Sequence, residues 1–238
     1  MNGQASDLTT RLFLALAIVM IGLWGFASDR ATRGADGRPR GGRAWLLYAA
    51  GAAVWFLVPL LAARDGNLDR WTTPPPSMVL IALVTVFTIA LALSPVGARL
   101  AEIAPLSWLV GFQAFRIAVE LLLHRLYVEG VIPVQMTYAG RNFDIVSGVG
   151  AVVVAIVLAS GRRSRGLVLG WNVIGLLLLA NIVTIAVLST PTAFRAFMNE
   201  PANRLPGVPP FVLLPTLLVQ AALFGHLLVF RSLARRPA

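Results

Sequence analysis

The chain has no cysteine and no lysine, and its only histidines are His124 and His226. Without cysteine there is no disulfide, no thiolate nucleophile and no sulfur-ligated metal or iron–sulfur cluster. Without lysine there is no Schiff base, which closes retinal-type chemistry. The two imidazoles fall on different expected helices, His124 in the outer third and His226 in the inner third. They are roughly 20 Å apart by helical rise, so they neither bracket a haem nor furnish a histidine-rich zinc site. Asp144 is the one aspartate near an apolar run, so a dyad of intramembrane aspartates is unavailable. Ser147-Gly148 lacks the preceding glycine of a serine nucleophile turn, and no glycine-rich phosphate loop is visible. No cofactor and no metal site is expected.

Charge is scarce as well. Of 238 residues only 13% are charged and 58% are hydrophobic, against roughly 25% charged in a soluble domain. Continuous apolar runs of about 20 residues are long enough to cross a hydrocarbon core as helices, whereas a barrel would need short alternating strands. The expected fold class is therefore an all-α integral membrane bundle of seven transmembrane helices in one domain covering 1–238. The spans are expected at about 8–28, 44–63, 77–93, 105–127, 143–160, 167–188 and 211–230.

All twenty basic residues are arginine, and the net charge is +10. In a soluble chain this excess would point to nucleic acid; here it is read as topology, and no nucleic-acid partner is expected. Seven spans put twelve arginines on one side, including Arg30, Arg33, Arg38, Arg40 and Arg43 of the first loop, and seven on the other. The positive-inside bias then predicts the N-terminus outside and the C-terminus in the cytoplasm. Arg11, the apolar run after it and Gly25-Phe26-Ala27 could form a signal peptide. Cleavage there would send the arginine-rich loop outward, so an uncleaved first helix fits better. Trp45 and Tyr48 open the second span as interfacial aromatics. Ser147, Ala151, Ala155 and Ala159 repeat every four residues along the fifth, a seam for close helix packing.

The fourth span is the most polar. Gln113, Arg116, Glu120, His124 and Tyr127 follow at steps of three and four, one stripe of a helix. Ionisable residues at this depth cost a few kcal/mol and face a bundle interior, a cavity or each other. Arg116 falls near the middle, with Glu120 and His124 progressively further out. Asn142 and Asp144 enter the fifth helix from the same side, Asn181 and Thr184 lie on the sixth, and Gln220 lies at the middle of the seventh. Asn199, Glu200 and Asn203 occupy an outer loop. Two readings follow: an i,i+4 ion pair of Arg116 with Glu120 that pins the bundle, or an outward-facing polar ligand site. His226 is expected to act as polar glue against Asn172 or a backbone group.

The stretches ELLLHRLYVEGVIPVQMTYAGRNFDIVSG and AVLSTPTAFRAFMNEPAN resemble a family of uncharacterised bacterial multipass membrane proteins. The resemblance runs from the fourth helix to the C-terminus and implies an inner-membrane location. A looser likeness is to seven-helix transporters built as three plus one plus three helices, from which this chain departs in its polar central helix and lack of internal repeat.

The sequence thus supports a small-molecule-binding membrane protein, transporter or receptor-like, with a site between helices four to seven. Its candidate residues are Gln113, Arg116, Glu120, His124, Asn142, Asp144, Asn181, Asn199, Glu200 and Asn203. The alternatives are a membrane enzyme acting on a lipid or lipid-linked substrate with Glu120 or Asp144 as acid/base and His124 as partner, and an accessory subunit of a membrane complex. Expected partners are the bilayer, a small polar or lipid ligand, and a second copy or another membrane protein.

Overall fold

The computed structural model describes residues 4–32, 42–162 and 164–235. The arginine-rich stretch 33–41, Arg163 and Arg236 lie outside the described residues, as do the side chains of Arg30, Arg43, Trp45 and Tyr48. The described residues form helices and connecting turns, with no strand among them.

The helices are α1 (Asp7–Thr32), α2 (Gly42–Arg64), α3 (Pro76–Leu93), α4 (Pro95–Ile103), α5 (Leu106–Gly111), α6 (Phe115–Val128), α7 (Ile145–Ala159), α8 (Arg165–Leu188) and α9 (Val219–Arg235). Pro76 opens α3 and Pro95 opens α4, at positions where a missing N–H costs nothing. A 3-10 turn, Phe112–Ala114, joins α5 to α6 without a break, and a π turn containing Pro215, Leu214–Leu218, leads into α9. Five segments are long and apolar enough to cross a membrane: Asp7–Ala27, Pro76–Leu93, Leu106–Val128, Arg165–Leu188 and Leu214–Arg235. Together they make this a membrane-embedded protein.

Three elements differ from the sequence reading. Ser94 caps a further helix, α4, that buries Gly97, Ala98, Leu100 and Ala101 where only a connection was expected. The last helix continues to Arg235 rather than ending near Phe230, with Arg231 donating to Ala92 O and Ser94 O and Arg235 to Ala98 O. The fifth expected span is the short one: its helix covers Ile145–Ala159, whereas α2 spans the expected 44–63 in full.

The shortness of α7 has a structural cause. Gly148 lies against Ile117, where an added Cβ would sit 2.8 Å from Cγ1, and Gly111 lies against Ala155. These contacts put the first turn of α7 level with the middle of the α5–α6 span, so α7 starts part-way along it. The irregular segment 131–144 leads into it from the end of α6, and its Ile132, Gln135, Met136, Thr137 and Asn142 are buried. The segment is buried in part: Tyr138, Ala139, Arg141 and Phe143 are exposed. The small-residue seam of α7 is realised at Ser147 and Ala151, which are buried, and at half-buried Ala155, while Ala159 is exposed.

The ends of the bundle are tied by polar contacts. At one end, Glu129 accepts hydrogen bonds from Ser6 N (2.9 Å), Ser6 Oγ (2.7 Å) and Thr9 Oγ1 (2.6 Å), fastening the start of α1 to the end of α6. Arg204 pairs with Asp69 at 2.7 Å, and Gln135 Nε2 donates to Ser189 Oγ at 3.0 Å. At the other end Arg231 donates to Ser94 O at 2.8 Å.

Candidate functional site

Arg116 is 2% exposed and is the largest fully buried side chain among the described residues. Its guanidinium carries five N–H groups in a planar fork, and each has a partner. Nε donates to Asp144 Oδ2 at 2.7 Å and Nη2 to Asp144 Oδ1, a bidentate pair. Nη1 donates to Ser147 Oγ and to His226 Nε2, both at 2.7 Å, and Nη2 also donates to Gly175 O at 3.1 Å. Four elements, α6, α7, α8 and α9, therefore meet on one cation. Because the guanidinium can only donate, His226 Nε2 must accept, and its proton belongs on Nδ1, which faces Asn172 Oδ1 at 2.8 Å. Asn172 Nδ2 in turn donates to His226 O at 3.1 Å. The closeness is possible because position 175 is glycine: a Cβ there would lie 2.6 Å from both His226 Cε1 and Ser147 Oγ.

The ion pair is thus between α6 and the start of α7, not along α6. Among the described residues Arg116 is within ion-pair range of Asp144 and not of Glu120. Glu120, 1% exposed, instead accepts from Asn142 Nδ2, at 2.7 Å to each oxygen. Asn142 is itself fixed by donating to Met136 O at 3.1 Å and accepting from Asp144 N at 3.0 Å.

His226 is the residue that sequence reasoning placed wrongly in depth. With the span running Leu214–Arg235, His226 lies just past its centre rather than in the inner third, level with Arg116. The expected partner Asn172 is present; Arg116 is an addition to it. The signal was available in the small residues Ser147 and Gly175, which leave room for a large polar group, but nothing in the sequence pairs them.

A cavity of about 250 Å³ lies beside this cluster. α3 and α8 both pack along α9, and the cavity occupies the space between them, backed by α6 and by Leu214–Leu223 and roofed by Asn203, Leu205 and Pro206. Its lining is almost entirely apolar; the polar members are Thr85, Arg116, Glu120, Asp144, Asn203 and Gln220. Met78, Ile81 and Thr85 on α3 and Val183 and Val187 on α8 are half-buried and Ala180 is exposed, so the mouth opens on the side of the bundle between two membrane-length helices.

The polar outward cavity expected from the sequence is therefore an apolar one, because Arg116, Asp144 and Asn142 turn their polar atoms on one another. Of the ten candidate residues, Arg116, Glu120, Asp144 and Asn203 reach the cavity wall, and Asn142 supports Glu120 from behind. The other five do not join them. Gln113 is buried in the 3-10 turn and donates to Ala222 O at 2.9 Å. His124 stacks on Tyr138, ring centroids 4.5 Å apart, as the stripe rotates out of the core toward exposed Tyr127. Asn181 is on the exposed face of α8 and donates to Arg141 O at 3.0 Å. Asn199 and Glu200 are exposed and order their own loop: Arg195 donates to Asn199 O at 2.9 Å and pairs with Glu200 at 3.0 Å. Asn203 is buried where they are not, because it donates to Ala186 O and accepts from Leu205 N. Gln220 and Thr85 are the wall residues absent from the expected set. Among the described residues no group of three or more His, Asp or Glu is placed to hold a metal ion.

Comparison with curated proteins and with solved structures finds no match to this chain. A family model described as a domain of unknown function, DUF8737, matches residues 73–234, from the prolines before α3 to the end of α9 and so through every element of the cluster and the cavity; the chain belongs to this family.

Proposed function

We propose that this protein binds a small amphiphilic molecule that enters from the membrane and lodges in the cavity between α3 and α8. The observation that carries the reading is an apolar cavity of about 250 Å³, near the low end of ordinary small-molecule sites, with buried polar atoms confined to a few points of its wall. A mouth between two membrane-length helices suits a ligand already dissolved in lipid. The role is that of a transporter or receptor-like binding protein of the bacterial inner membrane. Its seven crossings, with the N-terminus outside, would be completed by α2 and by α7 together with the partly buried segment 131–144. The contacts of Glu129 with Ser6 and of Arg231 with Ser94 join chain ends that this topology puts on the same side.

A catalytic role draws less support. The group bonded to Glu120 is the amide of Asn142, which does not exchange a proton in acid/base work, and His124 stacks elsewhere on Tyr138.

The test is to purify the protein in maltoside micelles and identify co-purifying small molecules by mass spectrometry, beside an Ala180→Phe variant that narrows the mouth. A stoichiometric amphiphile present in the wild type and depleted in a folded Ala180→Phe protein is the expected result. Equal content in both would sink the reading.

A further inference from the structure

The polar atoms of the cavity wall differ in what they still have to offer. Arg116 has no N–H left, since all five are engaged by Asp144, Ser147, His226 and Gly175. The Asn142 amide is divided between Glu120 and Met136 O. The Thr85 hydroxyl donates to Ile81 O at 2.8 Å. Asn203 at the roof has given one amide hydrogen to Ala186 O. Donors are thus nearly used up.

Acceptors are not. Gln220, 3% exposed, donates through Nε2 to Thr85 Oγ1 at 3.0 Å and to Pro215 O at 2.9 Å. A carbonyl can only accept, so the contact with Pro215 O fixes which terminal atom is nitrogen. The other, Oε1, is buried and has no donor among the described residues. Glu120 adds a second acceptor: its two oxygens have about four lone-pair sites and share the hydrogens of one amide. The cation beside it, Arg116, is already paired with Asp144.

Taking the cavity as the binding site proposed above, we infer that its occupant carries a hydrogen-bond-donating head, a hydroxyl or a protonated amine, on an apolar tail. The head donates to Gln220 Oε1, with Glu120 as the second acceptor. A carboxylate or phosphate head meets two acceptors, one of them a carboxyl group, and a guanidinium with no hydrogen to give.

The experiment is a probe series with one tail and different heads. Binding of 1-decanol, decylamine, decanoate, decyl phosphate and plain decane to the full-length protein is measured by ligand-dependent thermal stabilisation in maltoside micelles, with Ala180→Phe as the blocked control. Decanol and decylamine are expected to bind at least tenfold more tightly than decanoate, decyl phosphate or decane. Gln220→Leu should reduce the decanol preference over decane to below threefold, and Glu120→Gln should reduce that of decylamine over decanol. The wild-type series needs no variant, so the inference is tested even if Gln220→Leu fails to fold. Equal binding of every head, lost in Ala180→Phe, would overturn the donor-head inference and leave the cavity as a binding site. An anionic head binding tightest would overturn it too. No binding above the blocked control would overturn both.

Discussion

Arg116 and Gln220 lie on neighbouring spans and both contribute to the wall of one cavity, but they have opposite hydrogen-bond states. The arginine has five hydrogens and five partners; the glutamine has both hydrogens engaged and an oxygen with none. In hydrocarbon surroundings a polar atom needs a partner, and a cation needs several. The cluster around Arg116 meets that need from within the protein and so holds four elements together. The Gln220 oxygen leaves it open. A charged residue at membrane depth is therefore the more conspicuous feature, and an uncharged acceptor the more available one.

The largest effect should come from splitting the Arg116–Asp144 pair. Asp144→Ala leaves a buried guanidinium without its counter-charge and should cost about 3–5 kcal/mol, the range for breaking a buried pair from one side. The double variant Arg116→Leu/Asp144→Leu should cost clearly less than the sum of the single changes, as read by unfolding in micelles. Additive losses would mean that the two residues are not a unit and would break the contrast drawn above.

Gly175→Ala comes next. Its Cβ would lie 2.6 Å from His226 Cε1 and from Ser147 Oγ, so two ligands of Arg116 must move; a loss of about 1–3 kcal/mol is expected for overpacking of this kind. A silent substitution would show that the cluster is looser than its geometry.

A smaller effect is expected at the membrane edge, where Glu129 ties α6 to α1. Burial raises the Glu129 carboxyl, but hydrogen bonds from Thr9 and Ser6, together with Arg125, outweigh it and hold the group below its ordinary value of 4.5. A carboxyl depressed on folding stabilises the folded state above its unfolded value and loses that contribution as pH falls through the folded one. Amide protection at the start of α1, measured as the exchange rate relative to the intrinsic rate at each pH, should therefore be high at neutral pH and fall below about pH 4.5. In Glu129→Gln this pH dependence should be absent. An unchanged profile in that variant would remove the latch from consideration.

The smallest effect belongs to Gln220→Leu, expected to change stability by less than about 1 kcal/mol. It removes two weak donors, of a kind that averages about 0.6 kcal/mol between membrane helices, and with them a buried orphan oxygen. A loss comparable to that of Asp144→Ala would mean that Gln220 is a structural residue like Arg116.

Much of this was legible in the chain. Helical periodicity and apolar length located every long span to within a few residues, and the costly placement of Arg116 and Glu120 marked the region where the bundle is polar inside. The partners were not legible. Glu120 stands at i,i+4 from Arg116 and looks like its counter-ion, whereas Asp144, 28 residues away, is the one that reaches it. Helical spacing describes contacts along one helix; it does not describe where the next helix starts. Because α7 begins part-way along the α5–α6 span, Asp144 arrives at the depth of the guanidinium and Asn142 at that of Glu120. Asn181 shows the converse: it stands on the expected helix, but α8 is rotated so that Ala180 lines the cavity and Asn181 does not.

The amino-acid sequence alone determined the medium and the vocabulary of this protein. Hydrophobic composition dictates the bilayer, and the lack of cysteine and lysine removes whole classes of chemistry, because each depends on residue type and local spacing. Tertiary structure decided which polar groups cancel and which remain. That outcome depends on helix rotation, on starting depth and on glycines at close approaches, quantities set by packing between segments far apart in the chain. It is why Arg116, prominent in the sequence, is closed within the fold, and why Gln220, on the cavity wall, keeps a buried oxygen with no donor among the described residues.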